Sequence, residues 1–321
     1  MLNTKYLAHT SNAHFRCWFI SATESVIFLM KSMGLEPPAD GGNKSFLDYF
    51  NHWYYSNNKE SPYDGLYQFF TEFKFPNPRA KMTLMMSNET FFSALFGQHD
   101  GPNKDGCKFF DFLFPGTVER VTTEDCPNCN RLRSQHNGDP QRQKMLEVPL
   151  PSEKEDANEC VQSLVDLALA PFTFDGDCVV CGAKVTKTRQ LYVMDDAESI
   201  VIKLKRLVLD GPETPPILGP GEKAPPRPYR QINRKVALSP ELKLKIPSTD
   251  GTNDLCLNFE LCSSIQHRGS RTGGHFVSFV KVENQFYIID DQIDKISRVE
   301  EERVQDSHIF LYKRRHEADY Y

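Results

Sequence analysis

HFVSFVKVENQFYIIDD, residues 275–291, carries runs of Val, Ile and aromatic residues on either side of the polar pair Glu283-Asn284 and follows directly on Gly273-Gly274. The runs predict two strands and the polar pair a tight turn, which together make a β-hairpin. A two-residue turn there pairs positions whose numbers sum to 567, setting Val277 opposite Asp290 and His275 opposite Gln292. Cross-strand partners share a face, and neighbours along a strand alternate. His275, Gln292 and Asp290 are therefore expected on one side and Asp291 on the other; a slip of one residue would exchange the two carboxylates. A carboxylate on one ring nitrogen of a histidine fixes the tautomer and stabilises the imidazolium, which prepares the other nitrogen to take a proton from a nucleophile. Taken alone, the hairpin reads equally as a plain strand histidine with two acidic residues at a hairpin end. The glycines before His275 let another backbone approach closely.

The candidate nucleophile is Cys17. After it, WFISATESVIFLMKSMG (18–34) carries apolar residues at Phe19, Ala22, Val26, Phe28, Leu29 and Met33 with near-helical spacing, and Gly34 with Pro37-Pro38 supplies a stop. Cys17 then opens a helix beside Arg16, and both the helix dipole and the cation lower a thiol pKa. Asn12, five residues earlier, can present an amide to a developing oxyanion. The competing reading is an inert, buried cysteine at a helix start.

Of the nine cysteines, four stand in two Cys-x-x-Cys pairs, Cys126 with Cys129 and Cys178 with Cys181. Four thiols of this kind suit a tetrahedral zinc ion. Forty-eight residues separate Cys129 from Cys178, where zinc ribbons usually have roughly 15 to 20; a helix-containing insert between two hairpins accounts for the length. Two unrelated pairs, a redox pair, or His136 as a substitute ligand are the alternatives.

The rest of the chain frames these sites. It has 321 residues, 39% hydrophobic and 25% charged, which excludes collagen, coiled coil and a wholly disordered chain. That length buries a substantial core without disulfides. With 38 basic against 43 acidic residues and a net charge of -5, a nucleic-acid binder working through backbone electrostatics is disfavoured. The longest apolar run, Val26 to Met30, is far short of a membrane span, and Met1 to Asn12 lacks a signal-peptide pattern. The expected setting is soluble, cytoplasmic or nuclear, with neither membrane nor nucleic acid as partner. Residues 45–115, rich in Phe, Tyr and Leu, read as a packed helical section. From Gly116 short alternating runs predict strands, interrupted by one helix in ANECVQSLVDLALAPF (157–172) with an apolar face of Val161, Leu164, Leu167 and Ala168. SIVIKLKRLVL (199–209) predicts a strand with period two at Ile200, Ile202 and Leu204. Residues 211–228 hold seven prolines and three glycines and read as an extended surface loop inserted in a sheet. Strands dominate from Lys235 to Lys313. A helical part followed by a β-rich part is the α+β arrangement.

Taken in order, these segments resemble the ubiquitin-specific protease family of cysteine deubiquitinases. Asn12-Ala-His-Phe-Arg-Cys17-Trp18 is similar to the family's Cys box. FPGTVERVTTEDCPNC (114–129), KMLEVPLP with its following helix, the second cysteine pair and SIVIKLKRL match in turn, and GGHFVSFVKVENQFYIIDD with IFLYKR resembles the His box. The resemblance implies a papain-like fold of thumb (about 1–113), zinc-binding fingers (about 114–190) and palm (about 191–315, with the Pro-rich loop at 211–228), all one catalytic domain over 1–321. It implies Cys17 as nucleophile, His275 as base and acid, Asp290 as its orienter, Asn12 as oxyanion donor and Asp291 as an assisting carboxylate. It also implies a structural Zn2+ on Cys126, Cys129, Cys178 and Cys181, and ubiquitin or ubiquitinated proteins as partner. His14, Arg16, Ile20-Ser21 and Glu24 depart from the family's Cys-box pattern, and SNETFF (87–92) is only a loose match to its Gln-Gln-Asp box. A catalytically impaired ubiquitin-binding relative and a protease for a ubiquitin-like modifier such as SUMO are therefore the alternatives.

Overall fold

A computed structural model describes residues 17–34, 118–129, 131–135, 145–150, 159–209, 229–246, 255–270, 273–290, 292 and 296–316. The expected helical section at 45–115, the loop at 211–228, Asn12, Asp291 and His136 lie outside the described residues.

The helix expected after Cys17 is α1, Cys17–Ser32. Its buried stripe is Ala22, Val26, Phe28, Leu29 and Met30. It ends where Gly34 adopts φ +66, a left-handed conformation that glycine takes without a Cβ penalty.

The strands make two main sheets. A four-stranded sheet has the order β2 (Arg131–Gln135), β1 (Val118–Cys126), β5 (Lys184–Val193), β4 (Phe172–Asp177). The eight-stranded sheet runs β13 (Ser297–Val299), β12 (Gln285–Ile289), β11 (Gly273–Val282), β10 (Leu255–Ser270), β14 (Ile309–Arg314), β6 (Ser199–Lys205), β3 (Met145–Pro149), with β9 (Glu241–Ile246) also paired to β10. The chain leaves the small sheet after β2, adds β3 to the large one in parallel with β6, and passes through α2 (Val161–Leu169) before returning as β4. That excursion is the long spacer between the cysteine pairs.

Residue parity along the strands separates the two faces of the large sheet. Ser278 Oγ donates to the Ser21 carbonyl at 2.9 Å and Ser263 Oγ to the Ser25 carbonyl at 3.3 Å, so α1 lies on the face those serines share. Val277, Phe279, Phe310 and Tyr312 have the opposite parity and pack in one core with Val161, Leu164 and Val165 of α2. Helix, sheet and helix form three layers, and burying both sheet faces supplies most of the stabilising apolar area.

Two expectations change on packing. Leu167 is 61% exposed and the buried face of α2 is Val161, Leu164 and Val165, the i, i+3, i+4 stripe that follows from the helix's start one residue after its N-cap Cys160. The period of two expected in 199–209 does not describe β6, because Val201 and Lys203 are buried as well as Ile200, Ile202 and Leu204. A central strand has both faces covered, and Lys203 is accommodated by its ion pair with Glu147 at 2.8 Å.

At Arg206 the run breaks, and β7 (Leu207–Leu209) leaves to pair with β8 (Tyr229–Gln231), closing the base of the 211–228 insertion. The Arg206 guanidinium, 3% exposed, donates to the carbonyls of Ser307, Ile232, Arg234 and Gln305. Arg206→Met leaves these carbonyls without their shared donor and is expected to cost on the order of 3 kcal/mol, read as a lower denaturant midpoint at unchanged m-value.

Candidate active site and metal centre

Glu283 takes φ +55 in a two-residue turn with Asn284, and β11 pairs with β12 as Ser278↔Ile289, Phe279↔Ile288 and Val280↔Tyr287. This is the register expected from the sequence. One residue past β12, Asp290 receives His275: Nε2 lies 2.7 Å from Oδ1. An ionised carboxylate only accepts, so the ring donates from Nε2 and the basic lone pair falls to Nδ1. The Gln292 amide donates to the same Oδ1 at 3.1 Å, and Arg268 Nη1 stands 3.6 Å from Oδ2. Burial pushes the Asp290 carboxyl up, but hydrogen bonds from His275 and the Gln292 amide, with the charges of His275 and Arg268, hold it below its ordinary value. Among the described residues, Asp290 is the carboxylate that reaches the His275 ring.

Cys17 is the first residue of α1; its thiol lies outside the described side chains. The backbone still locates it along the sheet. From Ser21 to Ser25 the helix advances about 6 Å, and its serine partners step from Ser278 to Ser263, which is paired with Val280, two strand residues or about 7 Å. Helix and strand run in the same direction. One equal step back brings the backbone of Cys17 level with Phe276, next to His275 along β11, although His275 shares the parity of Val277 and Phe279 rather than that of the serines that meet α1.

Behind the pair, Phe276 lies between two buried histidines, 4.7 Å from the His267 ring and 5.7 Å from that of His308. The ring nitrogens of both are without hydrogen-bond partners, so neither can carry a charge cheaply. Burial, then the nearby His275, pushes His267 down to about 4, and burial drives His308 in the same direction. The sequence reading missed these residues and Arg268. The sum rule used for β11–β12, applied with a two-residue turn assumed at 271–272 from the sequence, sets Arg268 opposite His275, as the ladder does.

The four paired cysteines converge. Cys126 ends β1, Cys178 follows β4, and the four Sγ atoms lie within 4.8 Å of one another. Cys126 Sγ is 3.6 Å from Cys181 Sγ, and Cys129 Sγ is 3.9 Å from Cys178 Sγ. A tetrahedral metal with bonds of about 2.3 Å to sulfur needs edges of about 3.8 Å. The turns are shaped for it: the Cys129 amide donates to the Cys126 carbonyl at 3.2 Å, the Gly182 amide to the Cys178 carbonyl at 2.9 Å, and Gly182 sits at φ +71. Thiols this crowded resist ionising without a cation, and Cys129, chiefly through its hydrogen bond with Cys181, is pushed up to about 12. The seven cysteines whose side chains are described, this cluster included, are free of disulfides. The cluster can hold a metal ion.

A helix that opens on Cys17 lies along β11, which carries His275, and Asp290 follows the neighbouring strand β12; this is the layout of a papain-like fold. The family profile for ubiquitin carboxyl-terminal hydrolases matches residues 141–312, just over half of the chain, and the protein belongs to that family, the cysteine-type deubiquitinases. No curated protein sequence matches it. Among solved structures it is similar to the SAGA Ubp8/Sgf11/Sus1/Sgf73 DUB module bound to ubiquitin aldehyde, at 16% identity and TM-score 0.64 over 98% of this chain and 71% of that one. A yeast SAGA DUB module structure gives 15% identity and TM-score 0.62 over the same shares. At these identities the likeness is one of fold. Among the described residues no helix is long and apolar enough to cross a membrane.

The buried histidines make a prediction about acid. His267 has a folded pKa below its unfolded value, so its contribution to stability is complete above about pH 6.5 and is lost as pH falls toward about 4. The wild type should lose roughly 1 to 3 kcal/mol across that window from this group. Asp290, whose folded pKa is also depressed, loses stability in the same direction. His267→Phe isolates the histidine: denaturant titrations at the two ends of the window should show a smaller difference for the variant than for the wild type.

Proposed function

We propose that this protein hydrolyses the isopeptide or peptide bond that follows the C-terminal glycine of ubiquitin, through a thioester on Cys17. The observation that carries the reading is the 2.7 Å bond from Nε2 of His275, near the start of the strand along which α1 lies, to Asp290 Oδ1 just past the neighbouring strand. Support for ubiquitin comes from the family and from the similar structures, whose modules are bound to ubiquitin aldehyde and to monoubiquitin.

In the proposed sequence His275 Nδ1 takes the Cys17 proton, the thiolate attacks the glycine carbonyl carbon, and the oxyanion is met by the Asn12 amide and the Cys17 backbone N–H. The imidazolium passes its proton to the lysine amine as the C–N bond breaks. Water then gives a proton to His275 and its oxygen to the thioester carbon, and the thiol leaves reprotonated. Asp290 holds the ring and offsets its positive charge; Asp291 assists at the hairpin end. Thumb (1–113), fingers (114–190) and palm (191–315) are the proposed division. A structural zinc ion on Cys126, Cys129, Cys178 and Cys181 would tie the two hairpins of the small sheet together, at a distance from the chemistry. The free thiols suit a reducing, cytoplasmic or nuclear setting.

Cys17→Ala should abolish turnover and leave the thermal transition in place, and ubiquitin bearing a C-terminal electrophile should add to Cys17 by intact mass. Labelling by a SUMO probe alone would move the substrate and keep the mechanism; an active Cys17→Ala protein would end the assignment. Elemental analysis should find about one zinc per chain, lost together with thermal stability in Cys126→Ser.

A further inference from the structure

The Asp290 carboxylate meets two cations, and the second belongs to a residue for which the proposed reaction has no role. Arg268 stands directly opposite His275 in the β10–β11 ladder. Its Nη1 lies 3.6 Å from Asp290 Oδ2 while His275 holds Oδ1. Arg268 is itself steered: Nε donates to Gln266 Oε1 at 3.0 Å, and the guanidinium lies 6.0 Å from the centroid of the Phe279 ring. Gln266 is 8% exposed and Phe279 fully buried. The row Gln266, Arg268, Asp290, His275 therefore runs continuously from the core to the candidate base.

Two consequences follow from a carboxylate contacted at both oxygens. Rotation about its Cβ–Cγ bond breaks an ion contact on each side, so the far contact keeps Oδ1 on the imidazole. The far guanidinium also draws on the negative charge that would otherwise stabilise the imidazolium alone, which lowers the ring's hold on its second proton. Other charged groups act on the same row: Arg303, in the short helix after β13, on Arg268, and His267, behind the sheet, on His275. Arg303 is a cation that favours placing Arg268 against the carboxylate, and His267 is kept neutral by burial.

We propose that Arg268 is a positioning residue for the His275–Asp290 pair, fixing the carboxylate and moderating the imidazolium so that the ring can return its proton to the leaving amine. The proposal rests on the roles given above to Cys17, His275 and Asp290, and its test separates the two. Arg268→Gln, Arg268→Lys and Gln266→Ala are compared with wild type in two measurements from about pH 5 to about pH 10. One is steady-state cleavage of a ubiquitin C-terminal fluorogenic amide. The other is carboxamidomethylation of Cys17 by iodoacetamide, quantified on the Cys17 peptide, which needs no substrate. Arg268→Gln should lower kcat about tenfold with KM within about twofold, and should raise the upper inflection of both profiles by about half a pH unit. Arg268→Lys should return that inflection toward wild type while recovering only part of kcat, because it restores the charge without the planar fork. Gln266→Ala should move the inflection the same way by less, and it carries the test if Arg268→Gln does not fold. An upper inflection that moves in neither Arg268→Gln nor Gln266→Ala overturns the proposal, as does a kcat loss in Arg268→Gln that lysine leaves wholly uncorrected. Shifted alkylation in a protein that leaves ubiquitin uncut supports Arg268 and sinks the substrate assignment alone.

Discussion

The antiparallel pairing of β11 with β12 fixes which carboxylate meets His275. Because side chains alternate faces, one residue of slip would send Asp290 away and bring Asp291 to the histidine. The turn at Glu283-Asn284, with Glu283 at φ +55, leaves no room for that slip. The apolar positions enforce the same register, since Val277 and Phe279 must reach one core while Phe276 and Val280 are buried beneath the other face. Packing on both sides of the sheet thus holds the His275–Asp290 distance of 2.7 Å at the end of a strand.

The large sheet serves as the common reference for elements far apart in sequence. Serine hydroxyls bond α1 to it by the carbonyls of Ser21 and Ser25, positions 257 and 238 residues away. Because those bonds pair matching steps of helix and strand, they set the axial position of Cys17 against His275 without requiring any contact between the two side chains. The cysteine cluster uses a different device. Its two hairpins are joined through the β1–β5 ladder, while the buried apolar residues beside the thiols are Cys126, Cys178 and Val185, so a metal ion held by the four cysteines would add a second tie between them.

How much of this could be read from the residues varies with the kind of constraint. The hairpin register was legible because a two-residue turn and a period of two leave one integer to determine. The helix at Cys17, its stop at Gly34 and the convergence of the two cysteine pairs were legible for similar local reasons. The buried face of α2 was read with Leu167 in place of Val165, since three-residue spacing alone does not say which side of the stripe the sheet occupies. Burial of Lys203 in β6 was not legible, because the partner that permits it, Glu147, lies on a strand joined only through a crossover. Arg268 and the histidines around Phe276 are not legible from strand propensity alone, because their place depends on the pairing of β10 with β11. The roles of Asn12 and Asp291 are carried by resemblance, and both lie outside the described residues.

The central claim is that Asp290 fixes the tautomer and proton affinity of His275. It is tested most directly by nitrogen-15 NMR of the His275 ring in a Cys17→Ala background, where no thiolate perturbs the ring. The account predicts a neutral ring protonated at Nε2, with an imine-type Nδ1, that titrates at lower pH once Asp290 is changed to Asn. A ring protonated at Nδ1, or a titration indifferent to Asp290→Asn, would contradict it.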